Sequence, residues 1–230
     1  MHLLDNVIWQ ALSTKQSHLA VSNGSAKKFA SEVSLLGGFS GTHSDGFDSL
    51  LELVSPGEQV GLFLTEPMQS VPGWAVINCV PLMEMVEGEQ STVQPESDAS
   101  VIELGEEDVP EMIALARLTK PGPFHTRTRE MGSYIGIREH GELVAMAGER
   151  LRVPGYTEIS AVCTHPQHLG RGFATALMNL LRQQIHQRSE RAFLHVRADN
   201  RRAVELYEHL GFSQRVLLYY VVLEPPGTAQ

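Results

Sequence analysis

A strand that runs into a two-glycine turn and out into an amphipathic helix constrains this chain more than any other feature. After the apolar strand end at Val162, Cys163 and Thr164 come Gly170 and Gly172, and then Phe173, Ala174, Leu177, Leu181 and Ile185 recur at helical spacing. Paired glycines let a backbone turn tightly and approach a ligand closely. The first amides of a helix have no partner within it and lie at the positive end of its dipole. Strand, glycine turn and helix start therefore form a phosphate-binding arrangement, to which Arg171 adds a charged donor.

A chain of 230 residues with 42% apolar content can bury a core, as one large domain or two small ones. No apolar run reaches membrane-spanning length. The start at Met1, His2 and Leu3 has no basic region followed by a long apolar run, so no signal peptide is expected. Cys79 and Cys163 are too few for a disulfide framework, and a cytoplasmic location is expected. The net charge of −9 argues against general nucleic-acid binding. That charge is uneven: residues 1–100 carry 3 Lys+Arg against 12 Asp+Glu, whereas residues 101–230 carry 15 of each. Such an excess is either a solvated acidic surface or a field that attracts cationic substrates.

The polar stretch 88–100 lacks apolar periodicity and reads as a linker, placed at 91–100. Before it, residues 1–90 read as a small acidic α/β subdomain. Phe47, Leu50, Leu51 and Leu53 suggest a short helix, and 60–64, 74–80 and 19–21 suggest strands. No second glycine turn is visible there. In residues 101–230, short strands at 101–104 and 134–137 bracket a helix that starts near Asp108 and Pro110. Strands at 143–153 and 156–164 complete a meander. The glycine-turn helix, a strand at 192–196, a helix at 200–209 closed by Gly211, and a strand at 216–223 follow. The expected fold is α/β: a mixed, mostly antiparallel sheet flanked by helices, preceded by the N-terminal subdomain.

Two segments carry a family resemblance. Leu169-Gly-Arg-Gly-Phe-Ala174 resembles the acyl-CoA-binding signature of the GNAT superfamily of N-acetyltransferases, written (Gln/Arg)-x-x-Gly-x-(Gly/Ala). Asn200-Arg-Arg-Ala-Val-Glu-Leu-Tyr-Glu-His-Leu-Gly-Phe212 is similar to that family's second signature, and the order of elements from 101 to 223 also matches. Leu169 stands where Gln or Arg is usual. The register 167–172 fits the pattern literally, but the later one puts Pro166 and the helix start where the family has them. The resemblance implies acetyl-CoA as co-substrate and an amine as acceptor, without metal, nucleic acid or membrane. A homodimer is compatible with it. It also implies cofactor contacts from Val162, Cys163, Thr164, Leu169, Gly170, Arg171, Gly172, Phe173, Ala174, Asn200, Ala203 and Tyr207. Among these, backbone groups of Val162 and Thr164 would pair with the pantetheine amides like an added strand.

Acyl transfer to an amine needs a group to accept the ammonium proton and an acid for the departing thiolate. Glu158 lies eleven residues before Leu169, a spacing at which the family often places its base, and alternation puts Glu158, Ser160 and Val162 on one strand face. Tyr207 matches the family's tyrosine acid, and a phenol stays protonated at neutral pH. Each has a plainer alternative: Glu158 as an edge glutamate, Tyr207 as core packing, Asn200 as a helix cap only. Cys163 reads as a buried strand cysteine, His195 as a core histidine, and His165 with His168 lacks companion metal ligands. The expected reaction is acetyl transfer to a primary amine of a small molecule or amino acid, by direct attack in a ternary complex. A protein or peptide acetyltransferase and a non-catalytic acyl-CoA sensor are the alternatives.

Overall fold

The computed structural model describes residues 2–41, 43–88 and 100–226. A 3-10 turn at Leu3–Asn6 leads into α1 (Val7–Ser13), then β1 (Ala20–Asn23), β2 (Ala26–Phe29), β3 (Gly37–Phe39), α2 (His43–Leu51), β4 (Val60–Leu64) and β5 (Ala75–Glu87). After the undescribed stretch come β6 (Val101–Glu103), α3 (Val109–Thr119), β7 (Tyr134–Glu139), β8 (Glu142–Val153) and β9 (Tyr156–Thr164). They are followed by α4 (Phe173–Gln187), β10 (Arg191–Arg197), α5 (Arg201–His209) and β11 (Phe212–Glu224).

The main sheet has the order β4-β11-β5-β10-β9-β8-β7-β6, and only its β9–β10 contact is parallel. Helices cover both faces. Against one face α4 packs Phe173, Leu177, Leu181 and Ile185, all buried, onto Ile159, Ala192 and Leu194. Each such side chain contributes about 1.5–3 kcal/mol by leaving water. On the opposite face α1 joins Val7, Ile8 and Leu12 to Leu151, Val153 and Phe193, and α3 sets Met112 and Leu115 beside Tyr134 and Met146.

The expected division between residues 1–90 and 101–230 does not separate two sheets. β5 from the first part lies between β10 and β11 of the second, and β11 lies between β4 and β5. β5 is hydrogen-bonded along both edges, from Phe212↔Glu87 to Glu224↔Ala75 on one side and beside β10 on the other. Pulling the halves apart would strip both ladders, and buried backbone groups do not tolerate that. The expected linker at 91–100 lies outside the described residues except for Ser100.

Candidate active site

The parallel contact between β9 and β10 is short. It runs through Arg191↔Tyr156, Ala192↔Thr157 and Phe193↔Glu158 and then ends. Beyond it, β9 continues to pair with β8, and β10 pairs with β5 from Leu194 to Arg197. Among the described residues no β9–β10 pair follows Phe193↔Glu158, and two parallel strands that stop pairing open the kind of gap to which an extended amide chain can add as an extra strand.

A bulge bends β9. Met146 pairs with Cys163 and Gly148 with Ser160, so Ala161 and Val162 together oppose Ala147. Ala161 sits at φ +54°, in the left-handed region where a residue with a Cβ is strained. One consequence corrects the simple alternation. Val162 packs in the α4 cluster with Ile159, so it does not share a face with Glu158.

At the open end of the gap lies the glycine turn. Gly170 and Gly172 both have φ +79°, and a Cβ at either would meet nothing within 4 Å. Gly172 is the N-cap of α4 and offers no side chain to the first amides, which are left for a ligand. These features fit the pyrophosphate and pantetheine arm of acetyl-CoA. Backbone of residues 170–174 would hold the former, and the edge of β9 through Val162, Cys163 and Thr164 the latter. Leu169 is exposed. Arg171 is paired with Glu139 in a two-pronged contact and lies over the Phe173 ring at 4.7 Å. It is thus anchored beside the turn rather than extended over it.

Tyr207 and Ala203 reach the gap's rim from α5, half-buried against the α4 cluster. The Tyr207 ring meets Phe212 edge-on at 6.3 Å. Burial, with Cys163 close enough to add to it, pushes its phenol up to about 12, so it carries its proton at neutral pH. Asn200 caps α5 by accepting from the Ala203 amide at 3.2 Å. Burial likewise pushes the Cys163 thiol up to about 11, far from the thiolate that nucleophilic catalysis needs.

Glu158 is where the structure departs most from the expected roles. Its carboxylate is fully buried at the closed end of the gap. It accepts from Arg150 Nε at 2.9 Å and Nη2 at 2.5 Å, from His195 Nδ1 at 2.7 Å and from the Leu151 amide at 3.3 Å. Burial alone would raise its pKa, but Arg150 and His195 bring it down to about 2. A carboxylate so engaged and so weakly basic is not placed to take a proton from an acceptor.

What the sequence did not disclose is the chain of charges that Glu158 belongs to. His195 Nε2 lies 3.4 Å from Glu84 Oε2, near enough to attract though not aligned as a hydrogen bond. Glu84 is paired with Arg215, whose Nη1 reaches Asp5 Oδ1 at 2.9 Å. From Arg150 to Asp5 the signs alternate, and the six groups sum to zero only when His195 is protonated. Burial opposes that charge, but Glu158 and then Glu84 hold the imidazolium and raise its pKa. Five strands and the first turn contribute to this chain, so no local motif announces it.

A stability prediction follows from this buried chain. Glu158→Gln should cost roughly 3–5 kcal/mol in chemical denaturation, because Arg150 and His195 lose their counter-charge in the interior. The pKa of Glu158 is depressed on folding, so its contribution is present above about pH 4.5 and lost as pH falls toward about 2. His195 acts in the other direction: its contribution is full below about pH 6.5 and fades as pH rises through its raised folded value. Unchanged stability in the variant, with an activity loss that high pH repairs, would return Glu158 to the role of base.

Gap, glycine turn and phenol together define a class, the acyl-CoA-dependent N-acyltransferases. The FR47-like protein family matches residues 134–221. A crystal structure assigned to the GNAT acetyltransferase family from Novosphingobium aromaticivorans is 35% identical, with 98% of this chain and all of that one covered and a TM-score of 0.90. N-alpha-acetyltransferase RimI of Mycobacterium tuberculosis is 38% identical over 112 residues, which is 44% of this chain and 69% of that protein. A GCN5-related N-acetyltransferase from Kribbella flavida shares the fold at 17% identity, with 97% of each chain covered and a TM-score of 0.61. The chain belongs to the GNAT family and is an acyl-CoA-dependent N-acetyltransferase. Among the described residues, no helix is long and apolar enough to cross a membrane.

Proposed function

We propose that this enzyme transfers an acetyl group from acetyl-CoA to a primary amine of a small molecule or amino acid, by direct attack in a ternary complex in the cytoplasm. The observation that carries this reading is the gap between β9 and β10, which runs between the sheet's two faces. Its α4 and α5 side presents the glycine turn and Tyr207, and its opposite side meets the buried charges and α1. The two reactants would then approach from opposite faces, as direct attack requires.

The residues take these roles. Amides of the glycine turn and α4 hold the phosphates, and the β9 edge holds the pantetheine arm. Tyr207 donates its hydroxyl proton to the departing thiolate. The protonated thiol of Cys163 supports attack without a covalent enzyme intermediate. With Glu158 buried and engaged by Arg150 and His195, the ammonium proton leaves to water.

A second reading, acetylation of an α-amine at a polypeptide N-terminus, is favoured by the name of the Mycobacterium tuberculosis relative. CoA release measured with a panel of diamines, amino acids and short peptides separates the two. Small amines should be turned over, with initial-rate lines that intersect when both substrates are varied and a rate that rises with pH as more amine is neutral. Turnover of the peptides alone would favour the second reading, and parallel lines would indicate a covalent intermediate.

A further inference from the structure

Tyr134, Gly148 and Ser160 form one row across the sheet. Tyr134 of β7 pairs with Gly148 of β8, and Gly148 pairs with Ser160 of β9, the last residue before the bulge at Ala161. Directly opposed residues share a face. Here it is the face away from α4, where Tyr134 packs beside α3. The Tyr134 ring lies across β8, since a Cβ on Gly148 would fall 2.2 Å from it. Phe124 meets the same ring edge-on at 5.5 Å and holds it there. Starting on β7 and crossing Gly148, the phenol carries its hydroxyl toward β9 and the gap.

Three polar groups come together at this place without protein partners. Tyr134 is 3% exposed, yet its hydroxyl has no hydrogen-bond partner among the described residues and is not shut off from solvent. Burial pushes the phenol up, so it keeps its proton, and Arg150, Glu158 and Glu149 are near enough to act on it. The hydroxyl of half-buried Ser160 is likewise unpartnered. Arg150 gives Nε and Nη2 to Glu158, but its Nη1 has no partner, and 18% of the side chain remains exposed. Polar groups left unpaired inside a folded protein call for a ligand or water. All three can donate, and no carboxylate oxygen stands free among them. Each oxygen of Glu158 already accepts two bonds, and Glu149 faces the other way with Ile159 and is held by Arg188. The pair with Glu158 leaves Arg150 little net charge to offer. Recognition here rests on donors in a shielded place, where each counts for more than it does in water. A guanidinium nitrogen and two hydroxyls fit the oxygens of a carboxylate. An ammonium is disfavoured beside the guanidinium.

We propose that Tyr134, Ser160 and Arg150 seat the carboxylate of the acceptor, so that the enzyme acetylates an amino acid in preference to a plain amine or a diamine. The site lies across the gap from Tyr207 and the glycine turn, on the side from which the acceptor approaches. The proposal rests on the acetyltransferase reading above, and its test lets the two fail separately. The probes are the common amino acids and the amine that each becomes when its carboxylate is removed, assayed by CoA release and counted per neutral amine. Wild type should favour an amino acid over its matched amine by about 10-fold or more in kcat/KM, the scale of one charge-assisted hydrogen bond. Tyr134→Phe keeps the ring on Gly148 and against Phe124 and removes only the hydroxyl. It should raise KM for the amino acid by about 10-fold and leave KM for the matched amine and the acetyl-CoA affinity unchanged. Ser160→Ala should act in the same direction. A role in packing alone would move both KM values together or neither. Matched amines turned over as well as amino acids, or equal amino-acid KM in Tyr134→Phe and wild type, would overturn the proposal. If wild type releases CoA with none of the probes, calorimetric titration of the amino acids into CoA-loaded protein decides. Saturable binding that Tyr134→Phe weakens would sustain the site and sink the acetyltransferase reading, and no saturable binding would overturn the site as well.

Discussion

Gly172→Asp is expected to abolish acetyl-CoA binding, with a loss of at least about 100-fold in affinity, or about 2.7 kcal/mol. Gly172 is the N-cap of α4 at φ +79°, with open space where a side chain would project. A carboxylate there stands in the volume proposed for the pyrophosphate and opposes its charge. It also competes for the helix amides that would otherwise bind the phosphates, since Asp is a favoured capping residue. Gly172→Ala separates strain from charge. It adds the left-handed penalty of about 1–2 kcal/mol but no anion, so most of the affinity should survive. Calorimetry on both variants, with thermal melts to show that each is folded, provides the check. Equal affinity in Gly172→Asp and wild type would remove the glycine turn from the binding site.

Tyr207→Phe should lower kcat by roughly 10- to 1,000-fold while acetyl-CoA affinity stays nearly intact. Phe keeps the edge-on contact with Phe212 and the packing against the α4 cluster, so the fold loses little. What it loses is a proton held up to about pH 12 at the rim of the gap. Steady-state kinetics at saturating acetyl-CoA read the effect, and a thioester donor with a better leaving thiolate should narrow it. Wild-type turnover in the variant would assign Tyr207 to packing alone.

The second half of the chain was largely legible because its residues are locally consistent. The Phe173 to Ile185 period matches α4, Asn200 does cap α5, and the glycines adopt the positive φ that their spacing suggests. The first half was not. β3 is Gly-Gly-Phe and β2 is Ala-Lys-Lys-Phe, neither with the β-branched alternation that identifies a strand, and they are held by neighbours instead. β5 runs to Glu87, well past the apolar segment at 74–80, because β10 and β11 pair with it on both sides. The exchange of strands between halves is a long-range event that no window of sequence contains. Ala161 has no glycine to mark its bulge, and Glu158 looks like a surface-strand base until Arg150 and His195 are seen to close on it.

The central claim is that the β9–β10 gap and its glycine turn form the acetyl-CoA site. Amide hydrogen exchange with and without acetyl-CoA tests it most directly. Protection should appear at residues 161–164 on β9 and 170–175 at the turn and start of α4, with no change at residues 37–39 and 62–65. Protection in those last two segments with none at the glycine turn would contradict the account.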